Sequence, residues 1–164
     1  MARFSDAAKR DPYRNFNFKI KFGAEPVAAC RKMSPLDVTV HMTPFRAGDS
    51  PTSVEEKSPG RTGYGDVTFE GGVTDNHLFE VWANQLADLE ERATRLQDGL
   101  FRRDVTVEVM DLDRLTVART YVLHRAWVTK YTAMSDLAGD GNDVIIQTLV
   151  LVHEGFTREP NAGA

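Results

Sequence analysis

Apolar and polar residues change places at every step from residue 15 to 22: Phe16, Phe18, Ile20 and Phe22 stand against Asn15, Asn17, Lys19 and Lys21. A period of two puts the four apolar side chains on one side of an extended backbone, which predicts a strand with one buried and one wet face. Asp11 and Pro12 keep a helix from running into it. Past Gly23 and Pro26, residues 27–32 and 36–42 predict two short strands. They are parted at Ser34 and Pro35, because a proline has no N–H to give a central ladder. Val67 and Phe69 alternate with Asp66, Thr68 and Glu70 in a further strand that ends at Gly71 and Gly72. Val105, Val107 and Val109 then alternate with Thr106, Glu108 and Met110, and a turn at 111–114 sends the chain back through 116–128, the pattern of a β-hairpin. Residues 144–152 are apolar on both faces, as in a central strand or one whose second face a neighbouring subunit covers.

One segment keeps a helical period instead. Leu78, Trp82, Leu86, Leu89, Ala93 and Leu96 recur at steps of three and four, with Thr74 or Asp75 as the opening cap and Gly99 as the stop. Its other side carries Asp88 with Arg92 and Glu91 with Arg95, each acid four residues before its base. Residues 47–63 show neither period: Gly48, Pro51, Pro59 and Gly60 are mixed with charged and hydroxyl residues, and Val54 is the one large apolar side chain. So long an irregular stretch is uncommon inside a compact domain, and the expectation is a segment that is disordered or touches something else. Residues 1–12 form an N-terminal extension and 157–164 a flexible polar tail expected to fray. About seven strands and one helix make a mostly β (α+β) domain, a sandwich or barrel with an amphipathic helix on its flank.

Composition agrees with a single domain over 1–164. With 41% hydrophobic and 27% charged residues the chain falls in the ordinary globular range. Its net charge of -4 argues against a general nucleic-acid binder, which works by neutralising phosphates. Cys30 is the one cysteine, which excludes an intrachain disulfide and a cysteine-rich zinc site, and it reads as a small buried apolar residue. The expectation is a chain made in the cytoplasm, with no membrane anchor, because no apolar run approaches the roughly 18 residues of a span and no signal-peptide core opens the sequence.

The search for chemistry finds no catalytic, cofactor or metal constellation. His41, His77, His124 and His153 lie far apart, and the His153-Glu154 pair meets Thr157 where a zinc hydrolase needs its second histidine. The acidic loop 136–141 has Ala138 and Gln147 at ligand positions of a calcium loop, so a tight turn at Gly139, Gly141 and Asn142 is the better reading. Gly60, Gly63 and Gly65 surround Arg61 and Tyr64 without the strand-to-helix context of a phosphate cradle. Trp82 and Trp127 read as core or interface anchors. An assembly or binding role is the stronger expectation, ahead of a small β-barrel enzyme.

Three segments together carry a resemblance. Asp11-Pro-Tyr-Arg-Asn-Phe-Asn-Phe-Lys-Ile20 opens the domain and Gly72-Val-Thr-Asp-Asn-His-Leu-Phe79 begins the helix. Ala126-Trp-Val-Thr-Lys-Tyr131 leads through the glycine turn to Leu149-Val-Leu-Val-His-Glu-Gly-Phe156. In this order and spacing the chain resembles the tube proteins of contractile phage tails and phage-tail-like contractile injection systems, a family similar in fold to the tube proteins of type VI secretion. The stretch around Cys30-Arg-Lys-Met-Ser-Pro departs from the glycine-bearing turn of that family. The resemblance implies a non-enzymatic subunit without cofactors. Six copies form a ring whose sheets join into one barrel, and rings stack into a hollow tube that a sheath drives through a target envelope while the lumen conducts protein or DNA cargo. It implies a homo-hexamer with sheath, baseplate and tube-cap partners, assembled in the bacterial cytoplasm into a phage tail or a released particle. A baseplate or tail-terminator component, or another β-rich binding module, is the alternative. Under this reading 47–63 is an assembly loop, with Ser50, Val54, Glu55, Glu56 and Lys57 as contacts to an adjacent subunit or the next ring. Asp88, Glu91, Arg92 and Arg95 then face outward, toward the sheath.

Overall fold

The computed structural model describes residues 18–23, 25–27, 30–46, 48, 54–73, 77–88, 92, 96–111, 113–137 and 143–160. In chain order these form β1 (Phe18–Phe22), β2 (Glu25–Val27), β3 (Cys30–Met33), β4 (Val38–Phe45), β5 (Glu56–Tyr64), β6 (Val67–Gly72), α1 (Leu78–Ala87), β7 (Arg103–Met110), β8 (Val117–Thr132), β9 (Ile146–Val152) and β10 (Phe156–Glu159). The mostly β fold with a flanking helix is the architecture the patterning predicts, with ten strands among the described residues rather than about seven.

Eight strands share one antiparallel sheet in the order β2-β1-β7-β8-β9-β6-β3, and β10 pairs with β8; β4 and β5 form a separate ribbon. The sheet folds over on itself at β8. Opposite β7, Arg103 faces Ala126 while Val105 faces Leu123, so β8 holds an extra residue there, a bulge at His124 and Arg125. Arg125 takes φ 52°, a left-handed conformation rare outside glycine. It is held in place by its N–H donating to Asp104 Oδ1 at 2.9 Å and its Nε to Glu154 Oε2 at 2.7 Å. On the other side of β8, β10 pairs with Thr120–Leu123 and β9 with the stretch from Trp127 on. Between them His124 N–H bonds Gly155 O, and Glu154 N–H bonds His124 O.

Alternation decides what fills the fold. Ile20 and Phe22 of β1, Val105 and Val107 of β7, Val67 and Phe69 of β6, and Leu149 and Leu151 of β9 all point into one core. Helix α1 closes this core with Phe79, Trp82 and Ala83. Phe22 meets Trp82 edge-on at 4.8 Å between ring centroids, and Trp82 Nε1 donates to Phe101 O at 3.0 Å. The outer face of β1 and β7 is polar, with Lys21 paired to Glu108.

Several expectations are corrected. Residues 56–63 are not irregular, because they lie in β5. Residues 157–159 belong to β10 and pair with β8 rather than fraying. Helix α1 stops at Ala87, since Asp88 has extended backbone (ψ 125°), and His77 occupies the N-cap position. The chain is helical again at Arg92, whose N–H donates to Asp88 O, and at 96–98, but Leu96 is exposed rather than part of the buried stripe. Leu78 and Leu86 are half-buried beside Phe79 and Trp82, so the buried face is turned by about one residue from the predicted one. Val144 and Ile145 precede β9 and are exposed. The expected caps Thr74 and Asp75, the extension 1–12, and the turn residues Gly139, Gly141 and Asn142 lie outside the described residues, as do Leu89 and Ala93.

Candidate assembly interface

The β4–β5 ribbon is the part of the described chain that most needs a partner. Every residue of β4 is exposed, and so is every residue of β5 except half-buried Gly63. An isolated two-stranded ribbon is marginal in water, and its outer edges present unpaired N–H and C=O groups. Val38, Val40, Met42 and Pro44 alternate along β4 and therefore share one face, with Tyr64 opposite Val38. Among the described residues nothing covers the middle of this apolar stripe: Val40 is 54% and Met42 59% exposed.

The ribbon is built to a fixed shape by a second bulge. Val40 pairs with Thr62 and Met42 with Pro59, so β5 carries the extra residue around Gly60. A β-carbon on Gly60 would sit 2.8 Å from His41 O, a backbone atom that cannot swing aside. Glycine is required there by the close approach of the two strands. Alternation of Val38, Val40 and Met42 was visible in the sequence. It gave a strand, but one-dimensional pattern cannot tell a core face from a face reserved for another chain.

Among the expected contact residues, Glu56 pairs with Phe45 and Lys57 with Pro44 at the far end of the ribbon. Val54 and Glu55 lead into them, fully in solvent, and Val54 is 73% exposed. Ser50 lies outside the described residues. The structure thus gathers the four described ones at the tip. Of the helix face, Asp88 and Arg92 are exposed, while Glu91 and Arg95 lie outside the described residues. A second exposed apolar knob is Leu115, at the turn between β7 and β8. Asp113 accepts hydrogen bonds from Leu115 N–H, Thr116 N–H and Thr116 Oγ1. The Thr116 hydroxyl, with the two N–H groups, holds the Asp113 carboxyl below the usual range.

A groove of about 610 Å³ runs between the end of α1 and β8, lined by Leu86, Phe101, Trp127, Arg102 and Lys130. It brings together apolar and cationic side chains but no acid–base pair, and among the described residues no three His, Cys, Asp or Glu side chains converge as a metal site would need. Burial pushes the Cys30 thiol up to about 11, the reverse of what a nucleophile requires.

The fold is shared with subunits of contractile particles. A chain of the sheath–tube complex of an extracellular contractile injection system (PVC) superposes with a TM-score of 0.77 at 20% identity, covering 97% of this chain and 99% of that one. A chain of the tube-terminating cap of the anti-feeding prophage gives 0.74 at 21% identity, over 97% and 99%. One from the anti-feeding prophage baseplate gives 0.72 at 18% identity, over 91% and 96%. No curated protein matches by sequence. The class is that of tube-like proteins of phage tails and phage-tail-like contractile injection systems. Residues 14–157 match the model of the T4-like virus tail tube protein gp19 family, and the chain belongs to that family.

Proposed function

We propose that this chain is the inner-tube subunit of a contractile injection system or phage tail. Six copies close a ring in which the open sheets of adjacent subunits continue one another around a lumen. Rings stack through the β4–β5 ribbon, and Val54, Glu55, Glu56 and Lys57 at its tip, with Ser50, meet the adjacent subunit or the next ring. Asp88, Glu91, Arg92 and Arg95 face a sheath whose contraction drives the tube through the target envelope. The subunit is a building block rather than a catalyst, and cargo passes through the lumen. Assembly takes place in the bacterial cytoplasm, with baseplate and cap proteins at the two ends.

The observation that carries this reading is the ribbon itself: a long pair of strands exposed at every residue but Gly63, with an apolar stripe and, among the described residues, no further strand on either edge, on a chain that belongs to a tube family. Such a surface is kept from aggregation by a closed symmetric assembly that covers it. Native mass spectrometry and negative-stain microscopy of the purified chain test it. Hexamers and stacked rings are expected, and a stable monomer at high concentration overturns the proposal. A cap or baseplate role is the second reading, supported by likeness to chains from those structures. It predicts rings that form but do not stack.

A further inference from the structure

We infer that an aromatic joint at the root of the ribbon, made by Tyr64 against His153 and Phe156 over Gly155, sets the angle at which the ribbon leaves the body and so positions it for a second copy of this chain. This rests on the ribbon being an assembly contact. Among the described residues the ribbon buries no side chain of its own, and the contacts that tie it to the body are at its root. On the β4 side, Leu36 packs against the core and Asp37 O accepts a 3.3 Å bond from Gly65 N–H. That arrangement fixes where the ribbon starts but leaves it free to swing about the root.

Tyr64 removes that freedom. Its ring centroid lies 5.6 Å from His153 and 6.0 Å from Phe156, which themselves stand 6.1 Å apart. His153 and Phe156 flank the β9–β10 junction, which His124 N–H to Gly155 O and Glu154 N–H to His124 O tie to the bulge of β8, so the brace is anchored on a hydrogen-bonded part of the body. Gly155 completes the seat: a β-carbon there would touch the Tyr64 ring at 3.4 Å, and its φ of +149° is one that other residues rarely adopt. His153 is 8% exposed with neither ring nitrogen hydrogen-bonded among the described residues, so what it offers Tyr64 is a flat face rather than a polar bond. The ring-on-ring contact, not a specific hydrogen bond, is what holds the angle.

The test follows Tyr64→Ala, with Tyr64→Phe as the conservative partner. In a Cys30→Ala background, nitroxides at Thr62→Cys and Lys130→Cys, diluted into unlabelled protein, report the ribbon-to-body distance by electron–electron resonance. Tyr64→Ala is expected to keep a cooperative melt, broaden that distance distribution at least twofold, and shorten tubes at least tenfold. Tyr64→Phe is expected to restore both. Should Tyr64→Ala lose its cooperative melt, Tyr64→Leu takes its place with the same expectations. An unchanged distribution with tubes of normal length overturns the joint. His153→Phe keeps a flat ring and is expected to keep tube length; loss of tubes in that variant overturns the assignment to ring stacking. Replacing Val40 and Met42 by Ser separates the two levels. If that change leaves tubes intact, the ribbon is not the contact and the underlying reading fails. If it abolishes them while Tyr64→Ala does not, only the joint fails.

Discussion

Cys30 turns its sulfur between two backbone carbonyls, Lys32 O and Glu70 O, each at 3.3 Å, in the ladder that joins β3 to β6. With the thiol pushed up to about 11, chiefly by burial, it stays protonated through the physiological range. A disulfide reagent such as Ellman's is expected to label it slowly in the folded chain and at once in guanidinium. Because the folded value is raised, the contribution to stability is complete below the unfolded thiol value, about 8.5, and is lost as pH rises through the folded one. Asp113 works in the opposite sense. Its carboxyl is depressed by the Thr116 hydroxyl, so the turn gains above the unfolded value of about 3.9 and loses that gain as pH falls through the folded one. Thr116→Val is expected to bring the Asp113 titration, followed by NMR, back toward the ordinary value. The inert cysteine was legible in the sequence, where Cys30 stands between Ala29 and Arg31 with no partner base beside it. The Asp113 turn was legible only as a turn, because which hydroxyl folds back on which carboxylate depends on the backbone path.

At the level of elements, what could be read in advance was whatever the core demands. β1, β6 and β7 announce themselves by alternation, since one face of each is buried and a slip of one residue would turn every apolar side chain to water. β5 gave no such sign. Neither face of Glu56–Tyr64 is buried within the chain, so nothing selected an alternating pattern, and Pro59 with two glycines argued for a loop. The helix was found but drawn too long, because periodicity runs on past Ala87 while the backbone extends at Asp88. Substitutions separate its true core from its rim. Trp82→Phe keeps the stacking on Phe22 but leaves the Phe101 carbonyl without its donor, and is expected to cost about 1–3 kcal/mol in urea unfolding. Leu149→Ala, at a fully buried site of β9, is expected to cost about 2–5 kcal/mol. Leu86→Ala, half-buried beside the groove, is expected to cost clearly less than Leu149→Ala in the same experiment.

For the whole molecule, the class of protein was legible because it rests on the order and spacing of three segments, whereas the exposure of the β4 stripe was not, since alternation reads alike on a face buried in the chain and on one left in solvent. The described ones among the expected contacts fall at the ribbon tip, and the stripe behind them, Val38, Val40 and Met42, was not singled out from the sequence. Val40→Ser with Met42→Ser is expected to change the unfolding free energy of the subunit by no more than about 0.5 kcal/mol, as for exposed positions. It should also abolish stacked rings in negative stain. Gly60→Ala, which would push a methyl group into His41 O, is expected to do the same by distorting the ribbon. One further consequence belongs to β8. That single strand is bonded to β7 along one half and to β9 along the other, with Arg125 at its bend, so the two halves of the sandwich have a covalent spar in common. A pull applied between the β1 and β6 sides passes through the two sets of rungs on β8 in series, so the whole load crosses this one strand. A subunit made this way is expected to fail at whichever of the two ladders is weaker, in a single rupture rather than a staged unravelling.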